Sequence, residues 1–565
     1  MVKRYLPIVA WLPGYDRSWL PFDAIAGLTL WGLVVPESMA YAGIAGLPPQ
    51  AGLYTLVVSL LVYALLGTSR HLSVGATSAS AALLASSVAA ALVATAAANA
   101  SDPQTYAAYA SAFVLITGLV FLVAGIARLG FITQFLSKPV MDGFVVGLAI
   151  FVAVGQLNKL FGVPKPEGNT VEKLLGVVRE LPQANWTAFA IGALALAALF
   201  LLPLLSRRIP AGLVVLFGAI GLSAALDLAG VHDVAVVGTL PQGLPLLAVP
   251  SIPISDYLAM VLPAIGVLLV AFSEALGVAH EFAEKHGYEV DADQELRAHA
   301  VVNVGSALFG GMIAAGGMSG SAVKEGAGAR SQVANLVTWA ATIVTLLFLT
   351  PVFTSLPEAV LAALIIHAVS HIIASRKLWT LRREAPVEVW FGVLTLWGVL
   401  LIDVLQGMVI GLVASIVFVI YRTSRPHISS LGRVPGTDGA YSDLARHPED
   451  TPVPGVLIVR LDAPMYYANA LTVRDRVKAM VGEMGSLPRA VILDAAAQDD
   501  LDLTSVGVLG GLVRDLKGRG IDVYFADVHA PVLQHVREAG VLAEIGGDHV
   551  FPTVDLAVRQ VEGRP

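Results

Sequence analysis

Long apolar stretches, separated by short polar loops, occupy roughly the first 420 residues of the chain. A helix needs about 20 apolar residues to cross the ~30 Å hydrocarbon layer of a bilayer. Clear stretches of this kind are found at 109–127, 140–157, 186–205, 210–228, 258–280, 331–350, 387–402 and 405–421. Shorter or interrupted ones are found at 22–44, 52–67, 74–97, 298–312, 314–329 and 356–373. The pattern predicts an α-helical membrane protein with about fourteen spans.

The pattern changes after about residue 430, where short β-type runs alternate with helix-type segments. The runs at 456–461, 490–493 and 521–525 predict strands, and the segments near 468–483, 505–518 and 530–539 predict helices. Alternation of this kind is typical of a small α/β domain. We therefore expect a lead-in at 1–20, a transmembrane domain at 21–425, a linker at 426–452 and a cytoplasmic α/β domain at 453–565. The last contains no P-loop, no GxGxxG and no HExxH, which favours a regulatory or interaction module over an enzyme.

Composition supports this division of the chain. Of the 565 residues, 56% are hydrophobic and only 14% are charged, which excludes an ordinary soluble protein. The net charge of −7 comes mostly from residues 430–565, so it describes the soluble domain rather than the membrane part. The absence of cysteine excludes disulfides, Cys-containing zinc sites and a thiol nucleophile. The histidines are interpreted as packing residues, and we expect no metal and no cofactor.

The basic residues of the loops orient the predicted helices. Most of them fall on one side, which the positive-inside rule assigns to the cytoplasm together with both termini. They are Arg70, Arg128, Arg207, Arg208, Arg422, Arg425 and the basic residues of 376–383. The loop at 158–185, with three lysines and an arginine on the other side, is the exception. Lys324 and Arg330 are expected at the cytoplasmic surface.

Two similar breaks in apolar segments, about 240 residues apart, form a weak internal repeat. Both breaks are rich in small and hydroxyl residues. They comprise Gly75, Ala76, Thr77 and Ser78 in the first half, and Gly317, Met318, Ser319, Gly320 and Ser321 in the second. Interrupted helices at matching positions of two halves indicate a transporter site, because helix N-termini inside the membrane attract anions. The alternative is that small residues only allow close helix packing.

A single carboxylate lies upstream of each break, Glu37 in the first half and Glu274 in the second. A carboxylate within a span costs at least about 2–3 kcal/mol unless it faces water or a partner. Each is therefore a candidate proton carrier that couples anion movement to a proton gradient. The alternative for both is a carboxylate at a helix end near the membrane surface.

Several motifs resemble the sulfate permease (SulP) family of anion transporters. The membrane part carries DAIAG at 23–27, PESMAYA at 36–42, GLPP at 46–49, GLY at 52–54, GTSRHLSVG at 67–75, and GY and QEL within 284–296. The C-terminal domain resembles the STAS domain of these proteins through YYANA at 466–470 and DLTSVG at 502–507. The motifs occur in order along almost the whole chain.

The resemblance implies a seven-plus-seven inverted repeat of fourteen helices, divided into core and gate domains, and a homodimer. It also implies that the third and tenth helices are half-helices that meet at the substrate, starting near Gly75 and Gly317. Members transport sulfate, chloride, bicarbonate, oxalate or dicarboxylates by flux, exchange or symport, with an elevator-like movement of core against gate.

Four positions depart from patterns within the family. Gly320 stands where animal members commonly have Arg, so the anion would depend on helix dipoles and hydroxyl groups. Val278 replaces a Thr of sodium-coupled bicarbonate members, which weakens the case for sodium. Glu37 replaces a Gln of animal exchangers, which favours proton coupling. Thr504 stands where bacterial anti-sigma antagonists carry a phosphorylatable Ser, and we interpret it as a helix cap or else a regulatory site.

The sequence thus predicts a proton-coupled symporter of a small anion in a bacterial-type plasma membrane, with a dicarboxylate or sulfate preferred over bicarbonate. One alternative is a sodium-coupled or uncoupled anion permease or exchanger. Another, of a different class, is a membrane-anchored signalling scaffold whose STAS-like domain is the active part. The expected partners are the anion, a proton, the bilayer and a second copy of the chain, and neither enzyme activity nor nucleic-acid binding is expected.

Overall fold

The computed structural model describes residues 6–95, 102–131, 137–205, 211–373 and 386–563, without the side chains of 371 and 372. The predicted basic segments at 207–208 and 376–383 lie outside the described residues. Contacts divide the chain into two compact units, Met1–Ser415 and Ile416–Pro565. The predicted boundaries at 20, 425 and 452 stay predictions.

Fourteen helices in the described part of the chain account for the fourteen predicted spans. Seven of them, by length and composition, are able to cross a membrane, and five others are shorter apolar helices. The first seven are α1 (Leu20–Ile44), α2 (Gln50–Leu66), α3 (Ser78–Ala94), α4 (Pro103–Ile126), α5 (Lys138–Phe161), α6 (Trp186–Leu205) and α7 (Ala211–Leu226). The second seven are α8 (Ile254–His286), α9 (Ala292–Leu308), α10 (Met318–Gly326), α11 (Val333–Val344), α12 (Glu358–Ile373), α13 (Pro386–Leu401) and α14 (Val404–Thr423). A further helix, Thr170–Glu180, lies between α5 and α6.

The two halves of the membrane unit meet at a pair of two-residue strands. Strand β1 (Val74–Gly75) immediately precedes the start of α3, and β2 (Ala315–Gly316) precedes α10. The strands pair antiparallel, with Val74 opposite Gly316 and Gly75 opposite Ala315. Equivalent segments that pair antiparallel are what an inverted repeat produces at its centre.

The membrane helices pack as two groups, which correspond to the core and gate expected above. The core comprises α1–α4 and α8–α11, and the gate comprises α5–α7 and α12–α14. Within the core, α1 and α2 approach so closely at Gly52 that a Cβ there would collide with the carbonyl oxygen of Ser38. Within the gate, α5 and α13 cross in the same way at Gly143, where a Cβ would meet the backbone of Gly392. Small residues at crossings let helix backbones approach in a membrane.

The C-terminal unit is built on a six-stranded sheet with the order β4–β3–β5–β6–β7–β8, in which β5 to β8 are parallel. The strands are β3 (Ile428–Arg433), β4 (Tyr441–Asp443), β5 (Val456–Leu461), β6 (Ala490–Asp494), β7 (Asp522–Ala526) and β8 (Val550–Phe551). The helices are α15 (Ala470–Glu483), α16 (Leu503–Gly518), α17 (Ala530–Glu538), α18 (Val541–Ile545) and α19 (Val554–Glu562). The sheet buries apolar side chains on both of its faces. The predicted α/β domain is confirmed.

The N-terminus of α16 is capped by Asp502. Its carboxylate oxygens accept hydrogen bonds from the Ser505 amide at 2.9 Å, the Ser505 hydroxyl at 3.0 Å and the Tyr467 amide at 2.6 Å. Thr504 lies two residues later and is exposed. The interpretation of Thr504 as the helix cap is therefore wrong, because the residue outside the first turn, Asp502, satisfies the free amides. A regulatory role of Thr504 stays a prediction.

Candidate functional site

A cavity of about 100 Å³ lies where the two half-helices α3 and α10 begin. By the same measure a water molecule occupies about 10–15 Å³, so the cavity has room for a small ion and a few waters. Eight of the nine residues predicted at the two breaks line it: Gly75, Ala76, Thr77, Ser78, Gly317, Met318, Ser319 and Gly320. Glu37, Tyr41 and Glu274 line it as well. The sequence-predicted residues are thus brought together in space, while their role as ligands stays a prediction.

The start of α3 is closed by a reciprocal cap. The Ser80 amide donates to Thr77 Oγ1 at 3.1 Å, and the Thr77 amide donates to Ser80 Oγ at 3.0 Å. In this arrangement Thr77 Oγ1 is an acceptor within the cap, and Thr77 also lines the cavity. Ser78 is the first residue of α3 and lies beside it.

Helix α10 begins without a side-chain cap, because its N-cap residue is Gly317. The first amides of a helix have no acceptor within the helix, and their dipoles point outward at its start. Here those amides belong to residues that line the cavity. Ser319 is exposed toward the cavity and adds a hydroxyl group. A small anion is the ligand that such a helix start favours.

Ser321, the ninth predicted residue, does not line the cavity. Its hydroxyl is fully buried, donates to the Gly317 carbonyl at 2.7 Å and accepts from the Ser73 amide at 2.9 Å. The Gly317 amide in turn donates to the Ser73 carbonyl at 3.3 Å. Ser321 therefore joins the second half of the repeat to the first rather than facing a ligand.

Glu37 and Glu274 reach the cavity from α1 and α8, respectively. Both side chains are half-buried, and neither has an ion pair or hydrogen bond within the described residues. Of the described residues that line the cavity, none is Lys, Arg or His. The site therefore combines two carboxyl groups with two helix N-termini and holds no basic side chain at its surface.

Lys324 was not recognised as part of this region by the sequence analysis. The expectation that it lies at the cytoplasmic surface is wrong, because its side chain is fully buried. Its ammonium group donates to the Leu72 carbonyl at 3.0 Å and to Asn335 Oδ1 at 3.1 Å. The Gln332 and Asn335 amide groups also donate to the Leu72 carbonyl, at 3.0 and 3.2 Å. The signal in the sequence was these two polar residues, three apart, at the start of an apolar helix.

Comparisons with known proteins were made for the whole chain. The model of the sulfate permease family matches residues 20–395, and the model of the STAS domain matches residues 447–557. A probable sulfate transporter of Mycobacterium tuberculosis is 33% identical over 560 residues, which cover 98% of both chains. Human solute carrier family 26 member 6 is 33% identical over 507 residues, which cover 85% of this chain and 66% of that protein.

Solved structures agree with these matches. The murine solute carrier 26 family member A9, an anion transporter in the inward-facing state, aligns with a TM-score of 0.91 at 25% identity and covers 99% of this chain and 94% of that one. The transmembrane domain of a cyanobacterial bicarbonate transporter, BicA, shares the fold with a TM-score of 0.61 at 23% identity, covering 70% of this chain and 98% of that one. The chain therefore belongs to the sulfate permease family of multi-pass anion transporters and carries the STAS domain of that family.

Proposed function

We propose that the protein is a secondary active transporter that moves a small divalent anion, sulfate or a dicarboxylate, together with protons. The observation that carries this proposal is the cavity at the starts of α3 and α10, where two helix N-termini face two carboxyl groups that have no partner in the described residues. The site residues proposed are the nine named at the two breaks, with Ser321 as a support and the other eight as ligands.

The proton coupling follows from the charges around the cavity. An anion that enters it comes close to Glu37 and Glu274, and like charges in a partly buried site repel each other strongly. No basic side chain lines the cavity to offset this repulsion among the described residues. Protonation of at least one of the two carboxyl groups removes a negative charge and so favours anion binding. Anion and proton then bind and leave together.

The substrate class rests on size and on the names of relatives. A cavity of about 100 Å³ accommodates a small anion and excludes a nucleotide. The similar protein of Mycobacterium tuberculosis is called a probable sulfate transporter, which favours sulfate. Dicarboxylates remain in the proposal because two separate helix N-termini match two separate carboxylate groups.

The mechanism proposed is an elevator-like movement of core against gate. All residues of the cavity named so far belong to the core, whereas the gate contributes the apolar Ala368 and Val369 of α12. Because the core holds the site and the gate, among the described residues, covers it only with apolar ones, the core can slide along the gate without breaking polar contacts. We further propose a homodimer in a bacterial-type plasma membrane with both termini in the cytoplasm, which size measurement in detergent and accessibility labelling of the termini test directly.

Uptake into proteoliposomes tests the function. Labelled sulfate and succinate are offered under a proton gradient, a sodium gradient or no gradient, with bicarbonate and chloride as competitors. We expect accumulation of sulfate or succinate with the proton gradient alone. Accumulation with the sodium gradient, or uptake that is no greater with a proton gradient than without one, contradicts proton symport. Absence of transport of every anion tested favours the signalling scaffold.

Variants of the two carboxyl groups locate the coupling. Glu37→Gln and Glu274→Gln are each expected to abolish proton-driven accumulation while anion exchange without a gradient persists. The matched control is Glu281→Gln, which removes an exposed carboxyl group from the same helix as Glu274. Ser319→Trp, which fills the cavity, is expected to abolish transport. Unchanged proton-driven accumulation by Glu37→Gln contradicts a coupling role of that residue.

A further inference from the structure

The side chain of Lys324 is a buried basic group behind the candidate anion site. The residue lies on α10 four positions after Gly320, which itself lines the cavity. Its ammonium group donates to the carbonyl of Leu72, the residue before Ser73, and Ser73 is again part of the cavity wall. Lys324 thus contacts the residue next to the wall of the site without reaching the cavity itself.

The ammonium group of Lys324 makes no direct ion pair within the described part of the protein. The two acceptors of its hydrogen bonds, the Leu72 carbonyl and the Asn335 amide oxygen, are neutral. No carboxylate oxygen of the described residues lies within 4.0 Å of its Nζ atom. A buried charge without an opposite charge is unfavourable, because neutral hydrogen bonds recover only part of the lost hydration.

Asp23 is the acidic side chain of the same region, and it is occupied by other groups. It accepts hydrogen bonds from the Arg330 amide at 2.7 Å, from the Ser331 amide and hydroxyl at 3.1 and 2.7 Å, and from the Tyr15 hydroxyl at 3.0 Å. Four donors stabilise this carboxylate where it is. These donors are neutral, so Asp23 keeps its negative charge and acts on Lys324 over a distance, but it does not hold Lys324 in a direct ion pair.

We infer that Lys324 is the positive charge that attracts and holds the transported anion, acting through the wall of the cavity rather than by direct contact. This inference rests on the proposed function, since it assigns a further residue to the same site. Lys324 is a positioning residue, and its contribution is electrostatic. It adds to the dipole of α10, whose start faces the anion.

Coulomb's law gives the inference a quantitative signature. The interaction energy is proportional to the charge of the anion. If the loss of one positive charge lowers the affinity for a monovalent anion by a certain factor, it lowers the affinity for a divalent anion by the square of that factor. At about two helical turns, ~11 Å, and an effective dielectric constant near 20, the factors are about 10 for a monovalent and about 100 for a divalent anion. A lysine that only supports the fold affects both anions equally.

The test compares binding of sulfate and nitrate, one divalent and one monovalent, to the purified full chain by calorimetry. Lys324→Gln is expected to lower the affinity for sulfate about 100-fold and the affinity for nitrate about 10-fold. Lys324→Arg is expected to keep both affinities within about threefold of the wild type. Equal losses for the two anions, or no loss, overturn the inference.

A second variant separates charge from support of the fold. A Cβ at Gly320 would lie 3.4 Å from Leu30 Cδ1 and 3.5 Å from Ser73 Oγ, which are ordinary contact distances, so a Cβ fits there and a longer side chain can extend into the adjoining cavity. Gly320→Arg in the Lys324→Gln background is expected to restore sulfate affinity, because it returns a positive charge to the site from a different position. Failure of this rescue in a variant that melts at the temperature of the wild type overturns the inference.

The proposed function is tested separately in the same preparations. Suppose that Lys324→Gln lowers the affinity for sulfate more than that for nitrate, while the wild type shows no uptake driven by a proton gradient. Proton symport is then contradicted, and the role of Lys324 stands. If proton-driven uptake is present while Lys324→Gln lowers both affinities equally, proton symport stands and the role of Lys324 is contradicted.

Discussion

The contact between Ser321 and Ser73 predicts that two serines of the same helix, α10, serve different purposes: Ser321 stabilises the structure, and Ser319 binds the ligand. Ser321→Ala removes the acceptor of the Ser73 amide, which lies 2.9 Å from Ser321 Oγ in a fully buried position. Ser319→Ala removes a hydroxyl group from the same helix at a position that faces the cavity. The first change is expected to weaken the link between the halves of the repeat, and the second to weaken anion binding.

The size of the first effect follows from the hydrogen bond that is lost. A buried amide left without an acceptor costs about 1–3 kcal/mol. Since 1.4 kcal/mol corresponds to a factor of ten, opening of the segment around Ser73 becomes about 5- to 150-fold more frequent. The methyl group of Ala leaves the packing of α10 otherwise unchanged.

Amide hydrogen exchange of the full chain in detergent measures this opening directly. The amide of Ser73 is expected to exchange about 5- to 150-fold faster in Ser321→Ala than in the wild type. In Ser319→Ala it is expected to exchange at the wild-type rate while sulfate affinity falls. An unchanged exchange rate in Ser321→Ala, or equal acceleration by both variants, would refute the assignment of Ser321 to the link between the halves.

Two further predictions concern movement and the STAS domain. The chain has no cysteine, so introduced pairs can be cross-linked without a background. Gly32→Cys with Leu213→Cys joins core to gate, because a Cβ at Gly32 would lie 2.6 Å from Leu213 Cδ1, and oxidation should stop transport until a reductant is added. Gly305→Cys with Val58→Cys joins two core helices, because a Cβ at Gly305 would meet only the side chain of Val58, and this pair should leave transport intact. Loss of transport in both pairs contradicts the elevator-like movement. Partial burial acts to raise the pKa of Asp502, but hydrogen bonds outweigh it and hold the pKa below its usual value. The cap of α16 should therefore persist as the pH falls to about 4 and be lost below that. Asp502→Ala should speed amide exchange in the first turn of α16 about fivefold at neutral pH, and an unchanged rate would contradict this.

The fold could be predicted from the sequence because its main signals are local. Each span is a run of apolar residues, and the helical period and the length of the run suffice to place it. The half-helices could be recognised as well, since Gly75 and Gly317 begin small polar breaks in otherwise apolar segments. The repeat then indicated that the two breaks meet, and β1 and β2 pair with each other in the structure.

The details of the site were less accessible because they depend on how each helix is rotated. Successive residues of a helix are 100° apart, so Ser319 and Ser321 differ by about 200° and cannot both face one ligand. This spacing was visible in the sequence, but which of the two serines faces the cavity is decided by the packing of α10 against its neighbours. The burial of Lys324 was harder to predict for a different reason, since its acceptors on Leu72 and Asn335 come from other parts of the chain.

The same rotation explains why one short helix combines two tasks. On α10, Lys324 lies about 60° from Ser321 and about 140° from Ser319, so the helix has a face toward the cavity and a face toward the first half of the repeat. The second face forms the buried bonds from Ser321 to Ser73 and from Lys324 to Leu72, which tie the starts of the two half-helices into one polar unit. On the other side of the cavity, the gate contributes apolar side chains from α12. Buried hydrogen bonds are costly to break and apolar contacts slide at little cost. In the elevator-like movement proposed above, the two half-helices would therefore move together with the bound anion, and the sliding boundary would lie between core and gate.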